Sequence, residues 1–360
     1  MPHSQTDSEP RCDGARAVSV AVGLIGYGLG GRAFHAPLID AVARLRLAAI
    51  ATSRREDAAA AWPGVQVVND PAALIADPSI DLVVVATPNA THAALARAAL
   101  EAGKHVVVDK PLAIDAAEGE ALAATARAHG RMLSVFHNRR WDGDFLTVKR
   151  LLDDGALGRL ALYEGRWDRF RLEQRAGWKD RPGPGSGLLP DLGSHLIDQA
   201  LQLFGLPEAL TADIAAQRDQ GEVEDYFELT FHYGEMRAIL SAATLVAAPR
   251  PRFALHGTAA SFVKPGIDPQ EAWMAGGRRP ADPGFGEDDP DTYGTFTTPD
   301  GAARRIPTAR GDYRRFYEGV VDAIVADAPP SIDPADAIAG LRLIDLARRS
   351  AAEGRRIAVT

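Results

Sequence analysis

The sequence has a single cysteine in 360 residues, Cys12. One thiol cannot close an intrachain disulfide or build a cysteine-based metal cluster. That fits a reducing compartment, and a cytoplasmic location is expected. No apolar run approaches the roughly 20 residues that span a bilayer, so no membrane association is expected. Lysines and arginines number 40 against 48 acidic residues, a formal charge of −8. No basic block is long enough to suggest a nucleic-acid surface. Residues 1–17 hold neither the apolar core of a signal peptide nor paired arginines, and they read as a disordered lead-in. There is no internal repeat.

What the chain does have is hydrophobic content, 46% of its residues. Between residues 18 and 137, short apolar strands (VSVAVGLI, LRLAAIA, VQVV, DLVVVAT, HVVVD, MLSVF) alternate with helix-like, alanine-rich segments. Strands apolar on both faces and separated by helices predict a doubly wound parallel α/β sheet. From residue 138 to 360 the texture changes. Longer strand-like runs follow one another, predicting a second α/β domain with a large open, mostly antiparallel sheet. Residues 268–294 are polar and rich in proline and glycine, and read as a long loop. An amphipathic helix over about 334–353 is placed to pack back on the first domain.

The most informative punctuation is Gly26-Tyr-Gly28-Leu-Gly-Gly31. It matches G-x-G-x-x-G, follows the first strand and opens a helix, the context that gives the pattern meaning. Gly26 permits the tight turn, Gly28 lets backbone approach a pyrophosphate, and Gly31 lets helix and strand pack closely. A dinucleotide is therefore expected. An NAD site usually has an acid at the end of the second strand. Here that position holds Ser53 and Arg54, which suit the 2′-phosphate of NADP. NAD stays possible if Glu56 or Asp57 meets the ribose.

Two further stretches carry chemistry. Lys110, in HVVVDKPLA, lies just past the fifth strand, outside the carboxyl end of the sheet where ligands of this fold sit. Pro111 after it restricts the loop, and an X–Pro bond adopts cis at low cost. In PDLGSHLIDQALQLFG, Asp191 and His195 are four residues apart on one face of a predicted helix. The positive end of the helix dipole favours a neutral histidine, the form that accepts a proton. Equally, Asp191 could be an N-cap and His195 a core residue. No set of side chains with metal-ligand spacing accompanies them.

Together the glycine run, the T-P-N-x-x-H of Thr87 to His92, the D-K-P of Asp109 to Pro111 and the D-L-G-S-H of Asp191 to His195 resemble the Gfo/Idh/MocA oxidoreductases. Longer blocks, such as VFHNRRWDGDFLTVKRLL and SFVKPGIDPQE, look like the branch of that family that oxidises scyllo-inositol at C2 with NADP. The resemblance implies an NAD(P)-dependent dehydrogenase acting on CH–OH donors, with a sugar, another inositol isomer or a dihydrodiol as alternative substrates. It implies that Lys110, Asp191 and His195 carry catalysis. It implies that Thr87, Pro88, Asn89, His92 and Asp109 line the nicotinamide side, and that Asn138, Arg139, Trp141 and Trp178 border cofactor and substrate. Asp109 stands where relatives usually have glutamate. A regulator that binds the cofactor without catalysis would be expected to lose Lys110 or His195, and this chain keeps both. The open sheet implies a homodimer or homotetramer, and strands DYFELTFHY and MRAILSAATLV suggest apolar residues on its second face.

Overall fold

The computed structural model describes residues 19–174 and 180–359. Six parallel strands form the first sheet: β1 (Val20–Ile25), β2 (Leu45–Ala51), β3 (Gln66–Val68), β4 (Leu82–Val85), β5 (His105–Val108) and β6 (Leu133–Val135). Their spatial order is β3-β2-β1-β4-β5-β6. Helices α1 (Ala36–Asp40), α2 (Arg55–Ala61), α3 (Pro71–Ala76), α4 (His92–Glu101) and α5 (Ala116–Ala128) connect them. Every residue of β1 and β4 is buried, as helices on both faces require. Strand order reverses beside β1, which leaves a crevice between the β1 and β4 carboxyl ends.

A short 3₁₀ turn (Asn138–Trp141) and α6 (Gly143–Asp153) lead into the second sheet. Its strands are β7 (Leu160–Asp168), β8 (Ala209–Ala215), β9 (Tyr226–Tyr233), β10 (Met236–Ala243), β11 (Phe253–Gly257), β12 (Ser261–Lys264), β13 (Gly294–Thr297), β14 (Ala303–Ile306) and β15 (Ile357–Ala358). Neighbouring strands run antiparallel except the central pair β7 and β10. Helix α7 (Ser194–Phe204) packs on β10. In β9 the period of two sends Phe227, Leu229 and Phe231 into the core, while Tyr226, Glu228 and Thr230 stay half-exposed. The second face is thus more polar than the strand composition suggests, with Glu164 and Arg166 paired on β7. Alternation sends the apolar half of each strand to the helix side.

Residues 268–294 are less loop-like than their composition. They form α8 (Gln270–Ala275), which packs against the turn that follows the glycine run, and they bury Met274 and Phe285. The chain then returns to the first core through α9 (Arg314–Val325), whose Phe316, Tyr317, Val320 and Val321 are fully buried there. The last helix, α10 (Pro334–Glu353), lies between the two sheets. It touches α5 on one side and α7 and β8 on the other. Asp115 and Asp333 cap α5 and α10 by accepting from the backbone N–H groups of Glu118 and Ala335. Each such cap is worth about 1 kcal/mol. Among the described residues, no helix is long and apolar enough to cross a membrane.

Candidate active site

The glycine run leaves β1 as a tight turn. Gly26 has φ +100°, and a Cβ there would strike the Ala86 carbonyl. A Cβ on Gly31 would strike the Gly26 carbonyl, so both positions are closed to larger residues. Gly28 differs, because a Cβ there would meet no atom within 4 Å. That open space beside bare backbone fits a pyrophosphate, so the residues present suit a dinucleotide. The chain continues as a widened i→i+5 turn, Gly30–His35, rather than directly as an α-helix. Such turns concentrate at functional positions.

At the end of β2, next to β1, Ser53 and Arg54 are exposed. The backbone N–H of Arg54 donates to Thr52 Oγ1 at 3.0 Å, turning the chain into α2. Among the described residues the Arg54 side chain makes no ion pair. Glu56 and Asp57 lie further on, in the first turn of α2.

The loops after β4 and β5 form the next wall. His92, only 1% exposed, joins them: Nδ1 meets the Pro111 carbonyl and Nε2 the Thr87 carbonyl, both at 2.8 Å. Its ring is therefore committed to backbone on both edges and shapes the pocket through the two loops instead of by lining it. The Thr87 hydroxyl pairs with Thr91, and the Pro88 carbonyl accepts from Thr91. Asn89 donates to the carbonyl of Gly185 at 3.2 Å, which ties the first domain to the Pro/Gly-rich loop before Asp191. The Lys110–Pro111 peptide is cis.

Asp109 accepts from the backbone N–H of Lys110 at 2.8 Å and lies 3.7 Å from His35 Nε2. Burial pushes its carboxyl up, but His35, Lys110 and His92 outweigh that and hold it at about 2. It is an anion throughout the physiological range. His35 is anchored in turn by Tyr317, 2.6 Å from Nδ1.

Lys110 reaches across to the second domain. Its Nζ donates to the Asp191 carbonyl at 2.7 Å and to Asp191 Oδ1 at 2.8 Å. Asp191 does not start an α-helix. It sits in a second widened turn, Leu189–Gly193, that runs straight into α7 and brings His195 in behind it. His195 is 5% exposed, its ring stacked on Trp167 at 6.3 Å, and its Nδ1 is buried without a hydrogen-bond partner. Its pKa lies well below the usual histidine value, first because of burial and then because Lys110, Arg139 and His137 are close. The neutral form expected from the helix dipole is present, with burial as its main cause.

Other expected site residues are placed as follows. Asn138 is buried in the turn after His137. Trp141, expected at the pocket, is half-buried and packs its indole against Phe316 at the edge of the first core. Trp178 lies outside the described residues. Arg140 braces the domains, forming a bidentate pair with Asp198 and a further pair with Asp336. Arg139, expected to border cofactor and substrate, lies near His195, and sequence reasoning missed His137 and Trp167, which pack against that ring. The only sequence signal for His137 is that it directly precedes Asn138 and Arg139 in one short block. Among the described residues there is no group of three or more metal-ligating side chains.

A Rossmann sheet with a dinucleotide cradle, joined to a second α/β domain that supplies a histidine and an aspartate, defines a nicotinamide-dependent oxidoreductase. Comparison with known proteins agrees. The model described as "Oxidoreductase family, NAD-binding Rossmann fold" matches residues 20–137, and "Oxidoreductase family, C-terminal alpha/beta domain" matches 149–359. The chain belongs to the Gfo/Idh/MocA oxidoreductase family. It is 42% identical to the scyllo-inositol 2-dehydrogenase (NADP(+)) of Bacillus subtilis, over 94% of this chain and 96% of that one. It is 45% identical to the uncharacterised oxidoreductase YdgJ of Escherichia coli, over 92% and 96%. The solved structure of a Bacillus subtilis protein described as an oxidoreductase, yvaA, superposes with a TM-score of 0.93 at 41% identity, covering 96% and 99%.

Proposed function

We propose that the protein is an NADP-dependent dehydrogenase that oxidises a secondary alcohol of a cyclic polyol, with scyllo-inositol, oxidised at C2, as its substrate. The observation that carries this reading is the junction of Lys110 and Asp191 across the domains beside a neutral, buried His195. The B. subtilis relative names the polyol.

The bound nicotinamide supplies the hydride acceptor. Gly26, Gly28 and Gly31 hold its pyrophosphate, Ser53 and Arg54 the 2′-phosphate, and the loops of Thr87–Asn89 and Asp109 the nicotinamide half. His195 takes the hydroxyl proton at Nε2, since Nδ1 is closed off. Lys110, held as a hydrogen-bond donor by Asp191, donates to the same substrate oxygen and stabilises the charge that develops on it. Asp191 orients both the lysine and a neighbouring hydroxyl. Asn138 borders the ring of the substrate.

The test is reduced-nicotinamide absorbance with NADP and NAD crossed against scyllo-inositol, myo-inositol and several aldoses. Turnover with NADP and scyllo-inositol is expected. Turnover only with an aldose would move the substrate and keep the chemistry. Silence across the panel with NADP still bound would favour a regulator.

Arg54→Ala should raise the KM for NADP by about 10-fold, the loss of one charge-assisted phosphate contact, and leave the KM for NAD unchanged. An equal loss for both cofactors would remove the 2′-phosphate assignment. A homodimer or homotetramer rests on the family resemblance, with the open second sheet as the proposed interface. Light scattering at micromolar concentration should give a multiple of the chain mass, and a monomer would contradict it.

A further inference from the structure

Oxidation of an alcohol leaves one proton on the enzyme in every turnover. With substrate filling the cleft, a 5% exposed His195 needs another exit for it. Behind that ring lies His137, 4% exposed, at 6.1 Å between ring centroids in a T-shaped arrangement. No hydrogen bond joins the two rings, so a transfer between them needs a bridging water. Both rings have a buried Nδ1 with no hydrogen-bond partner. An unmet buried polar atom is costly unless it serves something, and each of these neighbouring rings carries one.

His137 also lines a crevice where Pro111 of the first domain meets Ser194 and Asp198 of α7 and Asp336 of α10. The crevice is lined more by apolar than by polar surface and has room for about one water. That water would face the polar groups of His137, Ser194, Asp198 and Asp336. Asp198 is buried within it, whereas the Asp336 carboxylate is 38% exposed and reaches solvent.

We propose that His137 relays the proton from His195 through this crevice to solvent beside Asp336. This rests on the assignment of His195 as proton acceptor. The balance is simple. The substrate O–H proton bonds to His195 Nε2, and the proton on Nδ1 of the same ring leaves through a bridging water for a ring nitrogen of His137. His137 releases its other ring proton to the crevice water, which passes one to bulk by way of Asp336. Each ring returns to its neutral form after its tautomer resets. The electron pair of the broken C–H bond leaves as hydride, and nothing else is oxidised or reduced.

The charges around the pair suit a relay. Burial lowers the pKa of His137, with Arg140 and Lys110 adding to the effect and Asp198 and Asp336 opposing it. Lys110, Arg139 and His137 press on His195, and Asp191 opposes them. Neither ring traps the proton as a stable cation, and the two carboxylates lie on the exit side.

The variant to measure is His137→Gln, with NADP and scyllo-inositol at saturation. A kcat about 10-fold or more below wild type is expected, with KM values for both substrates near wild type. The solvent deuterium isotope effect on kcat should rise, because proton exit becomes limiting, and added imidazole should restore part of the rate. An unchanged kcat, or a lower kcat with an unchanged isotope effect and no rescue, would overturn the relay. His195→Ala separates the two readings. An inactive His195→Ala beside a normal His137→Gln removes the relay alone, whereas a fully active His195→Ala removes the base assignment and the relay with it. A crystal structure of the NADP complex adds a test that needs no turnover. It should hold an ordered water in the crevice within hydrogen-bond distance of His137, and a dry crevice would overturn the proposal whatever the substrate.

Discussion

Alanine in place of His195 is expected to lower kcat by about 10²- to 10⁴-fold, the usual contribution of a positioned general base. Binding of NADP should survive, because His195 sits on α7 of the second domain and the dinucleotide cradle on the first. Wild-type turnover at saturating substrate would show that another group takes the proton. The environment of His195 makes a second, independent statement about pH. Its pKa is lowered well below the usual value by burial and by nearby positive charge. As pH falls through the ordinary histidine range near 6.5, the ring therefore stays neutral and able to accept. The acid limb of kcat/KM for alcohol oxidation should lie below that range and disappear in His195→Ala. A limb centred at the ordinary value would mean that the base is a more exposed group. The sign for stability is the same. The unfolded chain binds a proton at this histidine that the folded chain refuses, so the fold loses stability as pH drops below 6.5.

Lys110→Met should cost a comparable amount by a different route. Methionine keeps most of the unbranched, apolar length of the lysine stem but removes the charge and the donors. The loss of one preorganised donor to a developing oxyanion is worth about 10²- to 10³-fold in kcat. Asp191 also loses its 2.8 Å ion pair, so the link between the loop after β5 and the turn before α7 loosens. The KM for the polyol should rise along with the fall in kcat, whereas the His195 variant should act mainly on kcat. If Lys110→Met instead abolished NADP binding and left the single-turnover rate of bound complex untouched, the lysine would be a cofactor ligand only.

Much of this protein was legible before any tertiary contact was known. The six strands of the first sheet show in the sequence because burial on both faces makes each an uninterrupted apolar run. The roles of Gly26 and Gly31 show for a local reason, since one needs a positive φ and both face carbonyls a few ångströms away. Lys110 follows from its place after the fifth strand, since the fold puts every strand's carboxyl end on the same side. The length of α10 was readable from its amphipathic period, and the structure adds its Asp333 cap.

What the sequence could not state is anything that depends on two distant segments meeting. By resemblance His92 and Asn89 are expected alike to line the nicotinamide side. Only the packed structure commits one to the carbonyls of Thr87 and Pro111 and the other to Gly185, 96 residues away. Trp141 is set against Phe316, from α9, only by the packed structure. The stretch from 268 to 294 looks like loop because its prolines and glycines break local periodicity, yet docking against the turn at Gly30–His35 gives it a helix and buried side chains. The neutrality of His195 was anticipated from a local dipole, but burial decides it. Burial is set by Trp167 on β7, Lys110 on the far domain and the chain around Arg139, none of them near in sequence. Local chemistry fixes which residues can turn, cap or cradle. Which side chain is desolvated, and beside what charge, is a property of the assembled fold.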